Sequence, residues 1–284
     1  MTEVLGILGP GVLGLSLAQW AAEQGLAVRL MGRDRPHAER GLSALAQRWA
    51  VLTAKGKLSP GAREGLESRV RALDPGDWED ATAVLEATPE DPHLKAEVWK
   101  DLARSLPQGA LRLTGSSALP VAAIARQAGL DGGLLGFHLF VPVRNMRVVE
   151  LVAPAEAPPE AVDRARRLGG TLGLQVVEVR DGAGYAAARM SLALGLEAMR
   201  LLEEGVASAA DLDLLMTVGY GHPRGPIELS DRVGLDLRLT IVDRLREALG
   251  ERFEAPRILR ERVARGDVGL KSGRGFLDWP EEDR

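Results

Sequence analysis

The run Gly9-Pro10-Gly11-Val12-Leu13-Gly14 constrains this chain more than any other stretch. It lies between a short apolar run, Val4 to Leu8, and a helical pattern that lasts through Gln24. A turn at Gly25 leads into a second apolar run, Ala27 to Met31. Strand, glycine turn, helix, strand is how a parallel α/β sheet begins. Each glycine then has a physical role in a dinucleotide site. Gly9 permits the tight turn, Gly11 lets a pyrophosphate approach the backbone, and Gly14 lets helix and strand pack closely. Phosphates at that place meet unpaired N–H groups and the positive end of the helix dipole. A glycine-rich turn without a ligand is the alternative reading of the same residues.

An acid near the end of the second strand holds the adenosine ribose in NAD enzymes, and an arginine nearby accommodates the 2′-phosphate of NADP. Here Met31 is followed by Gly32, Arg33 and Asp34. The glycine removes a carboxylate that would repel phosphate, and Arg33 is placed to pair with one. NAD and NADP both stay open, and a loop slip of two residues would bring Asp34 to the ribose.

Further strands are expected at 83–87, 111–113, 134–137, 148–152 and 174–179. Asp91 before Pro92 caps one helix, and Pro120 and Pro159 stand at first-turn positions of two others. From Pro36 to Leu73 the pattern is a helical hairpin, with Ala38, Leu42, Leu45, Trp49 and Leu52 as its apolar stripe. Its turn contains Gly56, then Ser59 as cap and Pro60 as first helical residue. Beyond Asp181-Gly182-Ala183-Gly184 the strand signals stop, and five helical segments follow. The expected architecture is α/β: a Rossmann-type dinucleotide-binding domain with an inserted helical hairpin over 1–182, and an all-α domain over 183–284.

Composition narrows the function classes. The 36 basic and 40 acidic residues leave a net charge of −4 without long single-sign blocks, which is no footprint of a nucleic-acid binder. With no cysteine, thiolate nucleophiles and cysteine-based metal centres are excluded, and no metal is expected. The start lacks a basic n-region and no apolar run approaches about 18 residues, so a cytoplasmic protein without membrane contact is expected.

The chain has four histidines. His37 and His93 adjoin prolines at helix starts, and His222 lies in a turn-forming Gly221-His222-Pro223-Arg224-Gly225-Pro226 stretch. His138 ends the apolar run Leu134-Leu135-Gly136-Phe137, which places it at a strand end, where ligands of open α/β sheets bind.

These stretches, taken together, resemble the 3-hydroxyacyl-CoA dehydrogenase family, including bacterial 3-hydroxybutyryl-CoA dehydrogenases. The resemblance rests on the glycine motif, Val84-Leu85-Glu86-Ala87-Thr88-Pro89-Glu90-Asp91 with Leu94-Lys95, and Ser116-Ser117. It continues through Gly136-Phe137-His138-Leu139-Phe140-Val141-Pro142, Val149-Glu150, Gly219 to Pro226, Asp231, Gly234-Leu235-Asp236 and Gly269 to Phe276. It implies an interconversion of 3-hydroxyacyl-CoA and 3-oxoacyl-CoA by hydride transfer with a nicotinamide coenzyme. His138 would take the hydroxyl proton, Glu150 would orient the ring and stabilise the imidazolium, and Ser117 would bond the reacting oxygen. Glu90 and Lys95 would serve the coenzyme, Lys55 and Lys57 at the hairpin tip the CoA phosphates, and the helical domain would close on substrate and form a homodimer. A solvated turn is an equal reading of the two lysines.

Three polar positions of the family pattern are replaced: Gly115, Val141 and Ala188 stand where the family has asparagine. Two alternatives follow, a dehydrogenase of a different 3-hydroxy acid or a catalytically weak homologue that binds dinucleotide or acyl-CoA.

Overall fold

The computed structural model describes residues 3–281 apart from 79 and 131. The chain divides into two compact units, one up to Gly182 and one from Ala183. In the first unit, eight strands form one sheet: β1 (Val4–Leu8), β2 (Ala27–Met31), β3 (Val70–Ala72), β4 (Ala83–Glu86), β5 (Leu111–Thr114), β6 (Leu135–Leu139), β7 (Val148–Ala153) and β8 (Gln175–Arg180). Their spatial order is β3-β2-β1-β4-β5-β6-β7-β8. Neighbours run parallel except β6 and β7, which are antiparallel. The chain therefore leaves β1 towards one edge and returns at β4 towards the other. That reversal opens the crevice at which ligands of doubly wound sheets bind.

Helices α1 (Val12–Glu23), α2 (Arg35–Ala54), α3 (Pro60–Arg69), α4 (Pro92–Ser105), α5 (Val121–Ala128) and α6 (Pro159–Thr171) connect these strands. Local chemistry sets their starts. Asp34 accepts from His37 N at 2.7 Å, Ser59 from Ala62 N at 3.3 Å, and Asp91 from Leu94 N at 2.8 Å, each satisfying an orphan donor of a first turn. Proline follows each cap directly or one residue later, where its missing N–H costs nothing. Pro120 differs from its sequence expectation. It precedes the first helical residue, and the cap comes from afar: Asp181 accepts from Val121 N at 2.8 Å and Ala122 N at 2.7 Å.

The hairpin over α2 and α3 buries Ala38, Leu45 and Trp49, with Leu42 and Leu52 partly buried against the core of the sheet. Its expected end at Leu73 is too late. Helix α3 stops at Arg69, and Val70–Ala72 pairs with Val28–Leu30 as a short edge strand. Three residues are too few to register a period of two in the sequence.

The second unit comprises α7 (Ala187–Glu203), α8 (Ala209–Leu214), α9 (Pro226–Val233), α10 (Leu235–Leu249) and α11 (Arg257–Arg265), with a π-helical turn at Leu215–Gly219. Leu192, Leu196, Met199, Ile227, Leu235, Val242, Leu245 and Leu259 form its core. Asp213 caps α9, accepting from Ile227 N and Glu228 N, and the burial of its carboxyl raises its pKa above the ordinary carboxylate value. Asp231, fully buried, anchors the C-terminal segment: it accepts from Phe276 N at 3.0 Å, Leu277 N at 2.8 Å and Trp279 Nε1 at 3.0 Å. Gly275 is obligatory there, since a Cβ would lie 2.3 Å from Asp231 Oδ1.

Replacing Asp231 by alanine removes the acceptor of Phe276 N, Leu277 N and Trp279 Nε1 together. Each unpaired group costs about 1–3 kcal/mol, so Asp231→Ala should lose roughly 3 kcal/mol or more, read as a lowered unfolding midpoint. A midpoint unchanged from wild type would contradict the anchoring role.

Candidate active site

The glycine loop follows β1 directly. Gly9 has φ +106° and its N–H donates to Met31 O at 2.9 Å, which ties the loop to the end of β2. A Cβ at Gly9 would stand 2.6 Å from Ala87 O, and one at Gly14 would stand 1.9 Å from Gly9 O. Both positions thus exclude any larger side chain. Gly11 is different: nothing lies within 4 Å of its would-be Cβ, so a ligand can approach the backbone there. Gly11 also precedes α1 without a side-chain cap, and no acid occupies the first turn. The donors and dipole of α1 thus remain available to an anion, at the reversal point between β1 and β4. The three sequence-read glycines fit a dinucleotide pyrophosphate.

On the other side of that reversal, the ends of β4 and β5 hold a buried polar network. Glu86, fully buried, ends β4. Its Oε1 accepts from Lys95 Nζ at 2.8 Å, Thr88 N at 2.6 Å and Thr88 Oγ1 at 2.5 Å, and its Oε2 from Thr114 Oγ1 at 2.7 Å. Lys95 Nζ also donates to Thr88 O at 3.1 Å and lies 3.6 Å from Glu90 Oε2. Glu90 Oε1 gathers the next loop, accepting from Ser116 Oγ at 2.7 Å, Ser117 N at 2.8 Å and Ala118 N at 3.0 Å. Glu90 and Lys95 are therefore brought together, but Lys95 is only 1% exposed and its charge faces Glu86. Glu86 was missed as a site residue by sequence reasoning. The available signal was an acid closing an otherwise apolar strand, a position that demands a buried cation.

His138 and Glu150 meet through strand register. They are direct cross-strand partners in the antiparallel β6–β7 pair, and Nδ1 lies 2.6 Å from Glu150 Oε2. Their separation of twelve residues is the length of chain that leaves β6, turns and returns in register. Both are buried, at 8% and 3% exposure, so the pair is drawn together in a low-dielectric setting. Phe140 stacks obliquely on the imidazole, with centroids 4.8 Å apart. The connecting loop is fastened to α1, since Val143 N donates to Ser16 Oγ at 2.9 Å. Because Glu150 engages Nδ1, the imidazole turns Nε2 to its other side, the arrangement of a histidine held by a carboxylate for proton transfer.

Ser117 follows the end of β5. The parallel pairs Leu113–Leu135 and Thr114–Gly136 extrapolate to Ser116 beside His138, so Ser117 and His138 share the carboxyl edge of the sheet. At Gly115 a Cβ would come within 2.7 Å of Leu13 Cδ2 and 3.2 Å of Glu86 O, so a larger residue there requires the Leu13 side chain to move. Val141, by contrast, is 39% exposed.

Lys55 and Lys57 are exposed at the hairpin tip. Lys57 lines a groove of about 560 Å³ with Trp20, Leu58, Leu66, Arg69 and Arg144, whereas Lys55 is not among its walls. Arg33 is 76% exposed beside Asp34, whose carboxyl is held below the ordinary carboxylate range chiefly by the His37 N–H and then by Arg33. Asp34 caps α2 through Oδ1, and its side chain is 49% exposed. Among the described residues no cluster of three metal-ligating side chains occurs, and no helix is long and apolar enough to cross a membrane.

The buried pair Glu86–Lys95 yields a direct test. Lys95→Met leaves a carboxylate without its cation and should cost roughly 3–5 kcal/mol in denaturant unfolding, while Glu86→Gln combined with Lys95→Met should recover most of it. Equal losses in single and double variants would contradict the pairing.

Comparison with known proteins agrees with this geometry. Residues 4–182 match the family model for the NAD binding domain of 3-hydroxyacyl-CoA dehydrogenase, and residues 184–279 match the model for its C-terminal domain. A probable 3-hydroxybutyryl-CoA dehydrogenase of Bacillus subtilis is 32% identical over 280 residues, 97% of both chains. The 3-hydroxybutyryl-CoA dehydrogenase of Mycobacterium tuberculosis is 30% identical, over 97% of this chain and 98% of its own. The solved (S)-3-hydroxybutyryl-CoA dehydrogenase of Ralstonia eutropha superposes with a TM-score of 0.93 at 26% identity, covering 99% of this chain and 100% of that one. The chain belongs to the 3-hydroxyacyl-CoA dehydrogenase family, whose members are NAD-dependent oxidoreductases of 3-hydroxyacyl-CoA.

Proposed function

We propose that His138 is the acid–base group of this dehydrogenase, that Glu150 orients it, and that Ser117 bonds the reacting oxygen. The observation that carries this reading is the 2.6 Å contact between His138 Nδ1 and Glu150 Oε2. In the oxidative direction the 3-hydroxyl proton passes to His138 Nε2 as the C3–H bond breaks, and the carbonyl forms. When bound, the nicotinamide ring takes up the hydride. Glu150 keeps Nε2 aimed at the oxygen and stabilises the imidazolium that results. Glu90 acts by fixing the backbone N–H groups of Ser117 and Ala118, and Lys95 acts by holding Glu86 and Thr88 beneath them.

The groove lined by Lys57, Arg69 and Arg144 suits the CoA moiety, with apolar walls for the base and cations for the phosphates. Lys55 contributes to this reading only through long-range attraction. NADP is a second coenzyme in this reading, on the strength of Gly32 and Arg33, and the compartment is the cytoplasm. The helical domain from residue 183 closes on substrate and joins two copies in a homodimer. Met190, Leu214, Leu215, Val218, Tyr220 and Leu237 of that unit are exposed apolar side chains, between 42% and 78%, of the kind that mark an interface. A second reading, a dehydrogenase of a different 3-hydroxy acid, draws on Leu13 filling the space at Gly115 and on apolar Val141.

Following absorbance at 340 nm with acetoacetyl-CoA and NADH tests the first reading. Wild type should turn over. His138→Ala and Glu150→Gln should lose about 10²–10⁴-fold in kcat and still bind NADH. Turnover on free 3-hydroxy acids alone would favour the second reading, and unchanged rates in both variants would refute the dyad. Light scattering should return twice the chain mass, and Leu215→Asp with Val218→Asp should halve it; a wild-type monomer would contradict the homodimer.

A further inference from the structure

The residue after β2 decides what a dinucleotide site can tolerate on the adenosine ribose, because it faces the 2′ position. In this chain that residue is Gly32, next to Met31, whose carbonyl is bound by Gly9 N–H of the pyrophosphate loop. The glycine is not a vacancy that a carboxylate could occupy. A Cβ built there would lie 2.8 Å from His37 Cβ, 2.9 Å from Ala38 N and 3.0 Å from His37 Cγ. The first turn of α2 thus fills the space from which an acid would reach the ribose hydroxyls. The nearest alternative acid, Asp34, is committed to capping that same turn through His37 N at 2.7 Å.

Asp34 keeps its charge there and is 49% exposed, and Arg33 beside it is the accessible cation. Arg33 extends into solvent at 76% side-chain exposure, and its contact with Asp34 is a long 3.4 Å. Arg35 is engaged elsewhere, by Glu39 and Asp74, at 2.9 and 3.0 Å. A guanidinium held by so weak a contact turns to a phosphate dianion at little cost, and the fork geometry suits bidentate pairing.

We propose that the adenosine end of this site accepts a 2′-phosphate, with Arg33 as the residue that reads it and the first turn of α2, packed on Gly32, as the element that keeps an acid out. This rests on the dehydrogenase reading above, since it concerns the same coenzyme site. It makes the chain a dehydrogenase that uses the phosphorylated coenzyme as well as NAD.

The test is equilibrium binding by calorimetry, with adenosine 2′,5′-bisphosphate and 5′-AMP as probes that differ only in the 2′-phosphate. The bisphosphate should bind the wild-type protein at least about tenfold tighter, with a gap that narrows as salt is raised. Arg33→Ala, a change at an exposed side chain, should bring the two affinities together by weakening the bisphosphate alone. Equal or weaker binding of the bisphosphate to wild type overturns the proposal, as does an Arg33→Ala variant that keeps the full gap or weakens both probes alike. Gly32→Asp is no converse test, because its Cβ would collide with the backbone N of Ala38 as well as with His37. Turnover of acetoacetyl-CoA with NADH alongside a missing bisphosphate preference would sink this inference and leave the dehydrogenase reading standing. Absence of binding by both probes, with no turnover, would overturn both.

Discussion

β7 runs back against β6, and that reversal of direction sets the chemistry of the site. Cross-strand partners point to the same face, so His138 meets Glu150 only in the observed register. A slip of one residue would send the two side chains to opposite faces. The register is pinned by packing. All of β6 is buried, and Gly136 is opposite Val152 so closely that a Cβ would come within 2.7 Å of Val152 Cβ. The loop that closes the pair is held to α1 through Ser16, and α1 in turn begins at the glycine loop. Proton-transfer group and phosphate-binding backbone are therefore set by one connected piece of structure.

Burial of charge is the second recurrent device. Glu86 sits at the end of β4 with four donors around its carboxylate, and Glu90 gathers three from the Ser116–Ala118 loop. Asp231 does the same for the C-terminal segment and Asp213 for the start of α9. Glu90, Asp231 and Asp213 each hold backbone N–H groups that no helix or sheet satisfies, whereas Glu86 holds mainly side-chain donors. Removing any one of them orphans several donors at once, so these acids fix loops more firmly than apolar contacts could.

Much of this was legible in the residues. The glycine motif between an apolar run and a helical pattern located β1, α1 and the crevice, because a tight turn and a close helix approach leave no other residue type possible at Gly9 and Gly14. Asp91 and Ser59 announced their helices through cap chemistry. Strand β3 was not legible: three residues carry no period, and their pairing with β2 is a tertiary fact. Nor was the cap of α5 by Asp181, sixty residues away. The resemblance supplied Glu90 and Lys95, yet only the structure reveals Glu86 as the centre of their network. At Gly32 the sequence recorded a missing acid, and the structure adds that the first turn of α2 fills its place.

The central claim is that Glu150 fixes the imidazole of His138 so that Nε2 moves the proton. Nitrogen-15 NMR of the imidazoles reads this directly, since the chain has four histidines and a His138→Ala variant assigns the signal by its loss. With its imidazole uncharged, His138 should be protonated at Nδ1 and bare at Nε2, and Glu150→Gln should weaken that preference. A His138 ring protonated at Nε2, or a tautomer indifferent to Glu150→Gln, would contradict the account.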